Sequence, residues 1–75
     1  MDEKYRDNYL QLGAKIAYYR RLRKMTQEQF AEALGLSWSF IALVESPNRV
    51  AGVSLETLFK MADVLEVEPY ELLQK

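Results

Sequence analysis

The side chains that could do chemistry in this chain are restricted in kind. It has no histidine and no cysteine. That removes the commonest general base and metal ligand, and with them thiolate and disulfide chemistry. Asp63 with Glu66, and Glu68 with Glu71, are carboxylates three residues apart. On a helix they would share a face, and we read them as solvated acidic surface rather than as general acid–base pairs. No catalytic residue, metal ligand or cofactor site is assigned. The cations are more informative. Arg20, Arg21, Arg23 and Lys24 form a cluster suited to the negative end of a helix dipole or to nucleic-acid phosphates. The net charge of −1 hides an asymmetry. Residues 1–24 carry seven Lys/Arg against three Asp/Glu, a balance of +4, and residues 25–75 carry three against eight, a balance of −5. Attraction to phosphates follows local rather than total charge. The low total predicts modest non-specific affinity.

The elements that would position these groups centre on Thr26 to Glu45, TQEQFAEALGLSWSFIALVE. Thr26 is a good N-cap, and Gln29 three residues later completes a capping-box pattern. Phe30, Ala31 and Leu34 make one apolar face of a short helix. Gly35 stands where a helix ends in a sharp turn. Leu36 can tuck into the core, and Ser37 can N-cap a second helix. In that helix Ile41 and Val44 face inward, while Trp38, Ser39, Ala42 and Leu43 fall on the other side. A helix, a glycine-containing turn and a second helix form the unit that DNA-binding proteins lay in the major groove.

At T-Q-E-Q-F-A, A-L-G-L-S and F-I-A-L-V-E the chain resembles the Cro/repressor-type (XRE-like) helix-turn-helix family. The likeness continues through SLETLFKMADVLEV and ELL, and covers about residues 12–73. The resemblance implies an all-α, compact five-helix domain of the lambda-repressor-like DNA-binding type. The implied function is sequence-specific transcriptional regulation, with the second motif helix in the major groove and repression by operator occlusion. Gln27 would hold the phosphate backbone at the start of the first motif helix, where unpaired N–H groups and the dipole favour an anion. Ser37 stands at the start of the second. Asn48 and Arg49 can reach phosphates beyond its end. Trp38, Ser39, Ala42 and Leu43 would face the bases, with Phe40 at the margin. This is where the chain departs from the family pattern, which often has Gln, Arg, Lys or Asn at those positions. Only Ser39 can hydrogen-bond a base; Ala42 and Leu43 can touch thymine methyls, and Trp38 could donate its indole N–H to a phosphate. A competing reading makes Trp38, Phe40 and Leu43 an apolar protein-binding patch. By the same resemblance Arg20 pairs with Glu45 and locks the first helix to the motif.

The remaining chain reads as supporting helices. Tyr5, Tyr9, Leu12, Ile16 and Tyr19 recur at helical spacing, predicting a helix from about Lys4 to Lys24. Residues 1–11 would extend that helix ahead of a helix-turn-helix domain spanning residues 12–75. Gly13 weakens a helix interior by about 1 kcal/mol relative to alanine. Pro47 and Asn48 mark a loop after Glu45. Ser54 would cap a helix with Leu55, Leu58, Phe59, Ala62 and Leu65 on its apolar face, ended by Glu66 without the usual glycine. Pro69 would open a last helix to Gln74, with Leu72 and Leu73 closing the core. Seventy-five residues form one small domain, burying only about 60–65% of the surface of the unfolded chain. No stretch is apolar enough to span a bilayer or reads as a signal peptide, so a cytoplasmic protein is expected, without a membrane partner. The expected partner is double-stranded DNA carrying a pseudo-palindromic operator, bound by a homodimer. Two surfaces could pair the copies: Val67, Tyr70 and Leu73, which the resemblance favours, or Tyr5, Tyr9 and Leu22.

Overall fold

The computed structural model describes residues 2–75. A 3-10 turn (Glu3–Tyr5) leads into α1 (Arg6–Leu22), α2 (Gln27–Leu34), α3 (Trp38–Glu45), α4 (Leu55–Leu65) and α5 (Pro69–Leu73). No strand occurs among the described residues.

The starts of these helices are set by side-chain caps. Thr26 Oγ1 accepts from the Gln29 N–H at 3.0 Å, and Gln29 Oε1 accepts from the Thr26 N–H at 2.9 Å. This reciprocal pair satisfies two donors that the first turn of α2 leaves unpaired. Ser37 and Ser54 do the same once each, accepting from the N–H groups of Phe40 and Thr57. Pro69 occupies the first turn of α5, where its missing N–H removes nothing. The first helix departs from expectation. Asp2 caps the 3-10 turn by accepting from the Lys4 N–H, and α1 begins only at Arg6.

The ends of α1, α2 and α4 share one device. Lys24 (φ 59°), Gly35 (φ 71°) and Glu66 (φ 59°) each take the left-handed conformation. Each donates its N–H back three residues, and the next residue donates back five: Lys24 to Arg21 and Met25 to Arg20, Gly35 to Glu32 and Leu36 to Ala31, Glu66 to Asp63 and Val67 to Ala62. These paired bonds satisfy the last carbonyls of each helix. They end α1 at Leu22, short of Lys24. Only the turn inside the motif has a glycine; the other two hold a side chain in a region that costs about 1 kcal/mol or more.

Every helix contributes to one core. Ile16 of α1, Phe30 of α2, Ile41 of α3, Met61 and Leu65 of α4 and Leu72 of α5 are fully buried. On α4 the inward stripe is Leu58, Met61, Ala62 and Leu65, at steps of three, one and three. Leu55 and Phe59, expected on that face, are exposed. Phe59 lies one residue, about 100°, round from Leu58, and Leu55 sits in the first turn, ahead of the buried stripe. Leu73 is exposed for the same reason as Phe59: Leu72 takes the inward position beside it. Gly13 has a clear role. A β-carbon there would run into the Val44 carbonyl oxygen, so α1 and the end of α3 approach backbone to backbone. The last α3 residues are thus held directly against α1. α5 also packs on α1, and Gln11 Nε2 donates to the Gln74 carbonyl oxygen at 3.1 Å.

Candidate nucleic-acid interface

The motif is held from beneath by a hydrogen-bonded ion pair. Arg20 on α1 is only 7% exposed. Its Nε donates to Glu45 Oε2 at 2.8 Å and its Nη2 to Glu45 Oε1 at 2.9 Å, a two-pronged match of guanidinium to carboxylate. Its Nη1 donates to the Met25 carbonyl oxygen, in the turn before α2. One side chain therefore ties the end of α1, the entry to α2 and the end of α3.

Gln27, the first residue of α2, extends this arrangement outward. Its Nε2 donates to Glu45 Oε1 at 3.0 Å, and its Oε1 accepts from the indole Nε1–H of Trp38 at 3.3 Å. The polarity is unambiguous, because an ionised carboxylate only accepts and an indole only donates. The Trp38 indole, considered from sequence as a phosphate donor, here donates to Gln27. Gln27 is half-buried rather than fully solvent-facing.

The other side of α3 is open. Trp38, Ser39 and Ala42 are exposed and Leu43 is half-buried. Ser39, Ala42, Leu43, Ser46 and Arg49 line a shallow depression between α3 and the following loop. Ser37 and Ser39 bring their hydroxyls within 3.3 Å of each other. Asn48 and Arg49 are exposed in that loop. The Asn48 backbone is engaged, its N–H donating to Ser46 Oγ and its carbonyl oxygen accepting from Arg6 Nη2. Phe40 is half-buried and packs in part against the core.

The basic cluster divides by role. Arg20 is in the ion pair. Arg23 donates from Nε to the Leu65 carbonyl oxygen at 2.7 Å and from Nη2 to the Glu66 carbonyl oxygen at 3.3 Å, capping the end of α4. Nothing in the local sequence around Arg23 signals a partner 42 residues away. Arg21 and Lys24 have no side-chain hydrogen bond or ion pair among the described residues, and both are exposed, Lys24 three residues before α2.

A second surface is apolar. Tyr5, Tyr9, Leu12, Val53, Leu55 and Leu73 line one apolar groove between α1, α4 and α5. Tyr5 and Tyr9 from one expected pairing surface thus meet Leu73 from the other, while Leu22 lies outside the groove. Among the described residues no helix is long and apolar enough to cross a membrane, and no cluster of carboxylates could hold a metal ion.

Comparison with known proteins agrees with this geometry. Residues 16–72 match the Helix-turn-helix family. An uncharacterised HTH-type transcriptional regulator of Bacillus subtilis, YazB, is 38% identical over 60 residues, covering 80% of this chain and 84% of that protein. The restriction-modification controller protein C.AhdI from Aeromonas hydrophila superimposes with a TM-score of 0.78 at 32% identity, over 88% of this chain and 97% of its own. SinR, a master regulator of biofilm formation solved in complex with DNA, gives 0.77 at 28% identity, over 84% and 98%. A motif matched across most of the chain, on the same five-helix frame, places this protein in the XRE-type helix-turn-helix family of DNA-binding transcriptional regulators.

Proposed function

We propose that the protein binds a specific DNA duplex with α3 in the major groove, and that it represses transcription by occupying its operator. The observation that carries this reading is the division of α3 into two sides. Ile41, Val44 and Glu45 are fixed inward, while Trp38 stands outward at the head of α3 and Ser39, Ala42 and Leu43 stand outward beside Arg49. The start of α2 offers backbone N–H groups to a phosphate, with Lys24 three residues before it, and Asn48 and Arg49 serve the opposite strand. Ser37, at the head of α3, belongs to the same face. Ser39 is the hydrogen-bonding base contact, and Ala42 and Leu43 meet thymine methyls. A face so poor in amides and guanidiniums favours A·T-rich sites read in part through duplex shape. Occlusion requires nothing beyond DNA binding itself, because a seated domain covers duplex that the transcription machinery needs.

The active species is a homodimer on a pseudo-palindromic site, with half-sites about one helical turn apart. Supporting this is the apolar groove with Tyr5, Tyr9, Leu55 and Leu73, a contiguous surface of the kind that marks interfaces. A cytoplasmic location follows from action on DNA. The alternative of a protein-binding patch on α3 is weakened by the packing of Phe40 against the core, which leaves only part of its ring exposed.

Mutation of the two classes of contact separates their roles. Gln27→Ala and Arg49→Ala should weaken binding to all duplexes alike, whereas Ser39→Ala or Leu43→Ala should change which duplexes a random pool yields. Identical selected sequences for wild type and both α3 variants would remove α3 as the reader.

A further inference from the structure

We infer that Trp38 is a positioning residue, setting the amide of Gln27 as a phosphate donor, rather than a reader of bases. The inference rests on the DNA-binding reading above and assigns a role within it. Trp38 opens α3 and is 55% exposed, so position alone would make it a base contact. Its one polar atom points elsewhere: the indole Nε1–H donates to Gln27 Oε1. Gln27 Nε2 in turn donates to Glu45 Oε1, whose carboxylate is held by Arg20. The chain Trp38–Gln27–Glu45–Arg20 therefore runs from the outer face to the buried ion pair with a donor facing an acceptor at each link.

The consequence lies in the hydrogen inventory of the amide. A glutamine amide has one acceptor oxygen and two N–H donors. Trp38 occupies the oxygen and Glu45 one N–H. The second N–H has no acceptor among the described residues. With both other positions fixed by partners of set polarity, the amide cannot flip without placing its oxygen against the Glu45 carboxylate. The remaining donor is thus held at the start of α2, where the helix dipole and backbone N–H groups already favour a phosphate. Without the indole, the amide keeps its bond to Glu45 but loses the second anchor, and ordering it on DNA must then be repeated at each binding event.

Trp38→Phe keeps an aromatic ring and removes the donor. Expected is an affinity loss of about 2- to 10-fold on every duplex, the range of one ordinary hydrogen bond. The slope of log K against log salt should stay nearly unchanged, because a neutral amide releases no counterion. Base preference in a selected pool should be unchanged. Gln27→Ala should show the same loss, and the double variant should lose little more than either single one. Gln27→Met, of similar length, serves if the alanine variant melts too low. In the free protein, Trp38→Phe should shift the side-chain amide resonances of Gln27. Additive losses in the cycle, or a changed base preference, would overturn the role while leaving DNA binding intact. A wild-type protein that binds no duplex overturns the DNA-binding reading and this role together.

Discussion

The two sides of α3 obey different rules. Inward, each position is determined by something it touches: Ile41 by the core, Val44 by the backbone of α1 at Gly13, and Glu45 by Arg20 and Gln27. Outward, Ser39 and Ala42 touch little, and Arg49 beyond the helix has no side-chain partner among the described residues. Substitution inward should therefore register as stability, and outward as binding. Trp38 and Gln27 join the two sides, since their hydrogen bonds begin on the outer face and end at the buried pair.

The largest effect should come from breaking the ion pair. Glu45→Ala leaves Arg20 buried without its carboxylate and should lower stability by about 3–5 kcal/mol. Glu32→Ala, on the exposed side of α2, should change it by no more than about 0.5 kcal/mol. Thermal or urea melts compare the two, and equal melts would erase the proposed division. Gly13→Ala should follow, at about 1–3 kcal/mol, because α1 and α3 must separate to admit a methyl group. A neutral result would mean that the two backbones can part at no cost. Arg49→Ala should leave the melt unchanged within about 0.5 kcal/mol but lower the salt slope of duplex binding by about 1. Smallest in affinity is Ser39→Ala, about 0.5–1.5 kcal/mol on the preferred duplex, read as reduced discrimination rather than general weakening.

How much of this was legible from the sequence depended on distance along the chain. The capping box of Thr26 and Gln29, the serine caps at Ser37 and Ser54, and the Gly35 turn are interactions within a few residues, and their residue types announce them. The outward side of α3 follows from helical periodicity. The inward face of α4 was less legible, because Leu55 and Phe59 are as apolar as the residues that are buried, and only packing against α2 and α5 selects Met61 over Phe59. The left-handed ends at Lys24 and Glu66 lack the glycine that would mark them. The indole of Trp38 meets an amide 11 residues away, and Arg23 meets carbonyls of α4 more than 40 residues away. Such pairings arise only once the helices pack, so a pattern read along the chain holds no trace of them. The Arg20–Glu45 pairing is implied by family resemblance and by no local pattern.

The central claim is that the outward side of α3 meets DNA. The most direct measurement is to select duplexes from a random pool at low salt and titrate the best of them against salt. The account predicts an enriched, A·T-rich, pseudo-palindromic sequence whose log K falls linearly with log salt, with a slope that reports several phosphate contacts. A pool that yields no enriched duplex, or a binding constant that does not vary with salt, would contradict it.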